Sequence, residues 1–211
     1  MAYKSLQQCI SKLNKRGEIL KVTKKIDPNL EMASVHLDEF AKAGKAILFE
    51  NIKGSKFRAT SNLFGTLERS KFMFRDTIEK VKQLIDLKTD PSLALKNPAQ
   101  AIYAALHAIY AIPLKVRFPR SFHEIQIEDI PQVKCWKEDG GAFITLPQVY
   151  SEDIENPGIM NSNLGMYRVQ LSGNDYIKNK EIGMHYQIHR GIGVHQKNAN
   201  KKGEPLKVSI F

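Results

Sequence analysis

Two clusters of polar side chains lie close together between Asn161 and Val194. The first comprises Asn161, Asn163, Tyr167 and Arg168, and the second His185, Tyr186, Gln187, His189 and Arg190. Arginine binds phosphate or carboxylate through paired hydrogen bonds, and asparagine and histidine can ligate a divalent metal. The residue types therefore indicate a site for an anionic ligand, with a metal ion as an option. The alternative is a solvated surface hairpin of a basic protein.

The residues around these clusters predict two strands of a hairpin. Side-chain type alternates from Met166 to Leu171 and again from Ile182 to Ile188, which is typical of half-buried strands. The intervening Ser-Gly-Asn-Asp is a turn sequence in which Gly173 and Asn174 can adopt positive φ. Because neighbouring strands lie about 4.8 Å apart, the two clusters can face one ligand.

Glycines next to the clusters, Gly165, Gly191 and Gly193, would let a ligand approach the backbone closely. His185 and His189 are four residues apart. On a strand this spacing separates them by about 13 Å, so it does not favour a shared zinc site.

The composition describes an ordinary soluble chain. Its 211 residues suffice for one large domain or two small ones, and no apolar run is long enough to predict a membrane span. Cys9 and Cys135 do not form a disulfide framework, and the N-terminus lacks the apolar core of a signal peptide. We therefore expect a cytoplasmic protein.

The formal net charge of +10 is compatible with anionic ligands. The lysines are dispersed, and the densest group, Lys197 to Lys202, falls in a predicted polar loop. No recognition-helix, zinc-finger or RNP-type motif is present, so we expect no nucleic-acid binding.

The first part of the chain, residues 1–115, is predicted to be an α/β domain that acts as a scaffold. The predicted helices are 5–16, ended by Gly17, then 29–44, 67–87 and 96–109, and the predicted strands are 18–26, 46–51 and 57–62. The sequence Pro-Leu-Lys-Val-Arg-Phe-Pro, beginning at Pro113, marks the boundary.

The second part, residues 116–211, is predicted to consist of short strands and turns. The predicted strands outside the hairpin are 123–127, 131–136, 142–146, 149–151 and 206–211, with a tight turn at Asp139-Gly-Gly. The stretch after the hairpin, including His195, is predicted to be a loop.

Four blocks in this order resemble the UbiD decarboxylases. They are Lys45-Ala-Ile-Leu-Phe-Glu-Asn-Ile-Lys-Gly, Asn62-Leu-Phe-Gly-Thr-Leu-Glu-Arg, Asp139-Gly-Gly-Ala-Phe-Ile-Thr-Leu-Pro-Gln-Val, and Asn163-Leu-Gly-Met-Tyr-Arg with a later His189-Arg-Gly ending a strand. The resemblance implies an α+β fold, in which an N-terminal α/β domain precedes the first part of an antiparallel split β-barrel that binds flavin.

The resemblance also implies an activity. The family uses prenylated FMN and Mn²⁺ for non-oxidative decarboxylation of aromatic or α,β-unsaturated acids, one candidate being a polyprenyl-hydroxybenzoate of ubiquinone biosynthesis. A flavin prenyltransferase would supply the cofactor.

Site residues are implied one by one. Asn163 and His189 fall on metal ligands, with Asn161 as a competing choice for the former. Arg168 falls on the catalytic arginine, which contacts the cofactor and the substrate carboxylate. The remaining cofactor-binding residues are Met166, Tyr167, His185, Tyr186, Gln187, Arg190 and Gly191.

The family's third metal ligand, a glutamate, and its acid/base carboxylates fall beyond the matched region. We therefore expect one subunit or a fragment of a decarboxylase, acting as a homo-oligomer or with a complementary subunit. A non-catalytic flavin- or phosphate-binding module and a degenerate remnant are the alternatives.

Overall fold

In a computed structural model of the chain, residues 3–108 and 123–211 are described, and the predicted boundary near residue 115 lies outside them. The helices are α1 Leu6–Lys15, α2 Glu31–Ala41, α3 Leu67–Phe74, α4 Ile78–Thr89, α5 Leu93–Lys96, α6 Pro98–Ala108 and α7 Gly191–Lys202. The strands are β1 Ile19–Val22, β2 Ala46–Phe49, β3 Ala59–Ser61, β4 Phe143–Ile144, β5 Gln148–Glu152, β6 Ser162–Met166, β7 Arg168–Gln170, β8 Gly183–His185 and β9 Val208–Ile210.

The chain divides into two compact units that do not follow the sequence order. The first comprises the described residues of Met1–Lys21, His36–Leu48 and Thr60–Phe122. The second comprises Val22–Val35, Phe49–Ala59 and the described residues of His123–Phe211. Among the described residues, no helix has the length and apolar character needed to cross a membrane.

The core of the first unit forms around α1. Ser5 caps this helix by accepting a hydrogen bond from the Gln8 N–H, and Gly17 ends it with a φ of 74°. Its buried face contributes to one apolar cluster with strand residues and a residue of α3; the members are Cys9, Ile10, Leu13, Ile19, Ala46, Leu48 and Met73. The apolar spacing that predicted α1 thus corresponds to a buried helical face.

The single helix predicted for residues 67–87 is instead two helices, α3 and α4. Thr77 N–H and its hydroxyl both donate to the Phe74 carbonyl, and Thr77 is the N-cap residue of α4. Local bonding by a short polar side chain competes with the helix ladder. The apolar pattern continues through Thr77 and does not reveal this local bonding. It therefore predicted one helix where the structure has two.

A buried arginine holds the loop before α3 in place. Arg69 is 2 % exposed, and its guanidinium donates to the carbonyls of Leu63, Gly44 and Asn62 at 3.0, 3.0 and 2.7 Å. Burial lowers the pKa of this guanidinium, yet arginine titrates so high that it stays charged. The motif Asn-Leu-Phe-Gly thus belongs to a loop organised by Arg69.

Two open three-stranded sheets form the centre of the second unit. One has the order β4-β7-β8 and the other β6-β5-β9, and every pairing in them is antiparallel. The sheet of β1, β2 and β3 is the third described one. The described residues are thus a mixed α/β structure with open sheets, and closure into a split barrel stays a prediction.

The strands predicted at 123–127 and 131–136 are wrong. The chain forms a 3-10 helix at Ile127–Asp129, where Asp129 accepts from the Gln126 N–H, and only Lys134 makes an isolated bridge, to Asn29. Trp136 N–H donates to the Asp139 carboxylate instead of to a neighbouring strand. Local side-chain contacts, together with the backbone hydrogen bonds of Lys134 to Pro28 and Leu30, therefore replace the expected strands.

The Asp139-Gly-Gly turn lies directly against the turn of the β7–β8 hairpin. A Cβ atom at Gly141 would clash with the Ser172 carbonyl oxygen, and one at Gly173 would clash with the Gly140 carbonyl oxygen. Gly173 also has a φ of 88°. Backbone meets backbone here, which only glycine permits.

Candidate functional site

A pocket of about 550 Å³ is formed in the second unit by β6, the end of β8 and the start of α7. It is lined by eight of the ten residues proposed from the sequence, namely Asn163, Met166, Tyr167, His185, Tyr186, Gln187, Arg190 and Gly191. Leu164 and Gly165 complete the lining. Leu164 was missed because nothing about a leucine in a strand distinguishes a pocket wall from core. The volume suits a small-molecule ligand.

The predicted hairpin is present as β7 and β8. Arg168 lies opposite His185 and Val169 lies opposite Met184. Directly opposed side chains share one face of a sheet, so Arg168 and His185 are on the same face. Val169 is fully buried on the other face, in an apolar cluster with Ala142. The alternation in the sequence thus separates a site-facing side from a core-facing side.

Asn163 lies on β6, outside the hairpin. It pairs with Ser151 of β5, and its Nδ2 donates to the Tyr167 hydroxyl at 3.1 Å. Asn161 ends a 3-10 helix, is exposed and does not line the pocket. The geometry therefore favours Asn163 over Asn161 as the site asparagine.

Tyr167 links the two sheets of the second unit. It is the single residue between β6 and β7, and its ring meets the Tyr186 ring edge-on, with centroids 6.4 Å apart and planes at 77°. The side chain also covers Gly165, where a Cβ atom would clash with the tyrosine ring. Gly165 is thus needed for packing by Tyr167 as well as for pocket access.

The loop predicted after the hairpin is wrong, because Gly191–Lys202 is the helix α7. His189 and Arg190 lie in the turn that precedes it, so the expected strand ending in His-Arg-Gly stops earlier, at His185. His195 is therefore helical, and so are Lys197 to Lys202. Gly203, with a φ of 68°, follows two lysines and ends the helix, which is a stop pattern that the sequence displayed.

The N-terminus of α7 faces the pocket through Gly191. The first N–H groups of a helix have no intrahelical partner and carry a partial positive charge, so they attract anions. A Cβ atom at Gly191 would clash with Asn163 Oδ1, which shows how closely β6 approaches the helix. Gly193 has a different role from the one predicted, because its missing Cβ makes room for the Ile188 carbonyl.

Two polar contacts fix α7 on β5. His195, which is buried, forms a 3.0 Å hydrogen bond through Nδ1 with the buried hydroxyl of Ser151. One turn later, Asn198 Nδ2 lies 3.1 Å from both carboxylate oxygens of Asp153. The Glu155 N–H and the Asn198 amide lower the pKa of Asp153. These contacts position the N-terminus of α7, and the sequence analysis assigned no role to the residues that make them.

Arg168 does not line the pocket, although it shares a sheet face with His185. Its guanidinium lies 4.3 Å from the Phe143 ring centroid and 3.8 Å from the Asp139 carboxylate, and its side chain is 53 % exposed. Burial raises the pKa of the nearby Cys135 thiol, Asp139 raises it further, and Arg168 opposes both. Arg168 is therefore a loosely paired cation that a second carboxylate could engage.

The two proposed metal ligands are not brought together as a closed set. Asn163 lines the pocket, whereas His189 lies in the turn before α7 and is not among the lining residues. Among residues 3–108 and 123–211, no group of three or more histidine, cysteine, aspartate or glutamate side chains could hold a metal ion. A metal here would require ligands in addition to these two.

The pocket suits an anionic ligand. Arg190 is its charged lining residue, held by a 3.3 Å hydrogen bond from Nε to Gln187 Oε1, and the described lining contains no carboxylate. The helix N-terminus adds positive potential. Two tyrosines, a methionine and a leucine supply apolar wall. These properties fit an anionic ligand that also carries apolar surface.

Comparison with protein families gives two matches in succession along the chain. Residues 10–88 match the 3-octaprenyl-4-hydroxybenzoate carboxy-lyase N-terminal domain (UbiD_N), and residues 113–211 match the 3-octaprenyl-4-hydroxybenzoate carboxy-lyase Rift-related domain (UbiD). A Chlamydia pneumoniae protein, named as one subunit of a 4-hydroxybenzoate decarboxylase, is 35% identical over 215 residues, covering 98% of this chain and 35% of that relative. The chain thus spans between 35% and 43% of the length of curated relatives that it matches.

Solved structures share the fold. Sedimentibacter hydroxybenzoicus vanillic acid decarboxylase (ShVdcCD) in closed form superposes with a TM-score of 0.74 at 20% identity, covering 99% of this chain and 42% of its own. An evolved dimeric form of the UbiD-class enzyme HmfF from Pelotomaculum thermopropionicum, in complex with prFMN, gives 0.62 at 19% identity and covers 99% and 44%.

Proposed function

Because the chain belongs to the UbiD carboxy-lyase family, of which it spans the N-terminal portion, we propose that it forms the flavin-binding part of a non-oxidative decarboxylase. The observation that carries the proposal is the pocket, since β6, β8 and α7 bring eight sequence-proposed residues to one cavity. The substrate would be an aromatic or α,β-unsaturated carboxylic acid, with a polyprenyl-hydroxybenzoate of ubiquinone biosynthesis as one candidate.

The pocket residues fit prenylated FMN on two counts. The N–H groups at the start of α7 and the Arg190 side chain suit the phosphate. The lack of a side chain at Gly191 lets the Asn163 amide lie directly against the start of α7, beside the N–H groups that would face the phosphate. When bound, the prenylated flavin would supply the electron sink for loss of CO₂.

Arg168 would hold the substrate carboxylate. A guanidinium can bind a carboxylate through two hydrogen bonds and keeps the acid ionised. The 3.8 Å separation from Asp139 is long for a direct ion pair, so the guanidinium can change partner at small cost. Phe143 supports it from one side through a cation–π contact.

Mn²⁺ is the finer part of the proposal. Asn163 would provide Oδ1, because its Nδ2 already donates to Tyr167. His189 would be the second ligand, and the third would come from outside the 211 residues. Asn163 and His189 alone do not form a complete ligand set, so we assign no chemical role to the metal.

The rest of the active site would come from further polypeptide. The pocket lining contains no carboxylate, so the acid/base group is not among the described lining residues. We propose that the chain works with a complementary subunit or as a homo-oligomer, receives its cofactor from a flavin prenyltransferase and resides in the cytoplasm. Support for a multisubunit enzyme comes from the Chlamydia pneumoniae relative, which is named as a decarboxylase subunit, and from a solved structure of ShVdcCD with truncated ShVdcD.

A second candidate function is a flavin-binding module without catalysis. It is favoured by the same lack of a carboxylate among the described lining residues, since proton transfer to the product carbon needs a positioned acid. The two candidates share the pocket and differ only in turnover.

The test is co-expression of the chain with a flavin prenyltransferase and Mn²⁺, followed by native mass spectrometry and a visible spectrum. We expect a bound mass of prenylated FMN that Asn163→Ala weakens by at least about tenfold, or about 1.4 kcal/mol. Asn161→Ala is the matched control, as Asn161 does not line the pocket. Equal binding by both variants would contradict the site.

Release of CO₂ from unsaturated and aromatic acids, assayed with any co-purifying subunit, then separates the two candidates. Turnover that Arg168→Met abolishes would support the decarboxylase. Flavin binding without turnover in the assembled complex would support the binding module.

A further inference from the structure

A glutamine is buried at the C-terminal end of β7, on the same sheet face as Arg168. Gln170 is 1 % exposed, and its amide makes three hydrogen bonds. Nε2 donates to the Ser172 carbonyl at 3.0 Å, and Oε1 lies 3.1 Å from both Asn174 Nδ2 and His185 Nε2. It thus connects the hairpin turn to a residue that lines the pocket.

The partners of Gln170 determine which end of its amide points where. A backbone carbonyl only accepts, so the group facing Ser172 must be Nε2. The other end is then Oε1, and the Asn174 amide must present its Nδ2 to it. Reversing either amide would place two acceptors or two donors against each other.

The proton position on His185 follows from this orientation. Oε1 has no proton to give, so the 3.1 Å contact is a hydrogen bond only when His185 Nε2 is the donor. In a neutral imidazole the other nitrogen, Nδ1, is then an acceptor. The Phe143 ring, 5.6 Å away and tilted by 57°, limits rotation of the imidazole.

We propose that Gln170 is a positioning residue that fixes His185 in the Nε2–H tautomer, so that the pocket is offered Nδ1 as a hydrogen-bond acceptor. The matching ligand group is a donor such as a ring N–H or a hydroxyl. That the ligand is a flavin rests on the proposed function, but the tautomer does not.

Two further features support a positioning role. Gln170 lies on the same sheet face as Arg168, two residues away, so the site-facing side of β7 holds two polar residues in succession. Burying an amide is favourable only when its groups are satisfied, and here both ends are. Asn174, in the turn, completes the set that fixes the amide.

The experiment is histidine ¹⁵N NMR of the flavin-free chain at about pH 8, where an ordinary imidazole is neutral. His185→Gln identifies the resonances among the six histidines. We expect an Nε2–H proton on His185 that exchanges slowly with water. In Gln170→Met this proton should exchange at least about fivefold faster.

Matched variants separate positioning from stability. Gln170→Glu keeps an acceptor for His185 but loses the donor to the Ser172 carbonyl, so it should retain the Nε2–H form at a lower stability. Gln132→Met makes the same replacement at a part-buried glutamine that donates to the Ile127 and Ile130 carbonyls, and should leave His185 unchanged. An Nδ1–H tautomer in the native chain, or an unchanged proton in a folded Gln170→Met, would overturn the proposal.

If Gln170→Met does not fold, the His185 tautomer measured in the native chain tests the proposal by itself. A subsequent titration with FMN tests the proposed function separately. The expected tautomer without flavin binding would leave the positioning role intact and contradict the flavin site.

Discussion

One arginine of the first unit and one of the second are held in contrasting ways. Arg69, in the first unit, is buried and donates to three backbone carbonyls. Arg168, in the second, is half-exposed, lies against an aromatic ring and has a carboxylate 3.8 Å away. The first arginine is buried among the carbonyls to which it donates, whereas the second is half-exposed and can exchange its neighbouring carboxylate for a ligand.

This contrast separates a structural cation from an available one. Carbonyl acceptors neutralise no charge, so Arg69 is held by geometry and by the cost of leaving buried carbonyls without donors. Arg168 loses little when its weak, solvated pairing is broken. Residue type alone did not distinguish them, because both follow glycine-containing motifs.

The largest expected effect is on stability at these two positions. Arg69→Met should lower the free energy of unfolding by on the order of 3 kcal/mol, because buried carbonyls lose their donors. Arg168→Met should change it by less than about 0.5 kcal/mol. Urea unfolding followed by circular dichroism measures both, and similar losses in the two variants would abolish the contrast.

The second unit has its own rigid point, where the two glycine turns meet. Gly141→Ala should cost on the order of 2 kcal/mol, since the new Cβ meets the Ser172 carbonyl oxygen. Gly140→Ala is the matched control, because its Cβ would make only ordinary contacts of 3.4 and 3.5 Å. Fluorescence of Trp136, the single tryptophan, reports unfolding of this unit. Equal stability of the two variants would show that the turns are not in close contact.

The attachment of α7 to β5 should give a smaller effect. Ser151→Ala removes the hydroxyl that meets His195 and should cost about 1 kcal/mol. FMN affinity should fall as well, because the helix start at Gly191 would shift. Ser209→Ala, at an exposed position of the same sheet, serves as the control. Unchanged stability and affinity in Ser151→Ala would place the anchoring of α7 elsewhere.

The smallest expected effect is on stability at acidic pH. The pKa of Asp153 is lowered by the Glu155 N–H and by Asn198, so its stabilising contribution is present above the unfolded value of about 3.9. It is lost as the pH falls through the lower folded pKa. The stability difference between the native chain and Asp153→Asn should therefore shrink as the pH falls from about 4 to below about 3.

Thermal unfolding across this pH range measures that difference. Asp38→Asn, at an exposed position, provides the comparison. A difference that stays constant down to pH 3 would mean that the Asp153 carboxylate is not held by these donors.

Features set by nearby residues were predictable from the sequence. Helical spacing and the stop at Gly17 bounded α1 correctly, and alternation gave the β7–β8 hairpin. Most of the candidate site followed, because its residues lie on the hairpin or beside it. Family resemblance supplied the roles of these residues, which spacing alone did not.

The failures have a common physical cause in long-range contacts. α7 contains two glycines and two asparagines, which are poor helix formers, and is held by His195 and Asn198 against β5. The missing strands at 123–136 had suitable alternation, but Lys134 instead exchanges backbone hydrogen bonds with Pro28 and Leu30, far earlier in the chain. Neither set of contacts can be predicted from the local sequence pattern.

The single-residue passage through Tyr167 has a mechanical consequence. One sheet ends at Met166 and the next begins at Arg168, so Tyr167 acts as a joint with the pocket at its side. A molecule that contacts β6, β8 and the start of α7 at once would restrict movement of the two sheets about Tyr167. Occupancy of the pocket should therefore stiffen two sheets together, and amide hydrogen exchange in both should slow by a common factor.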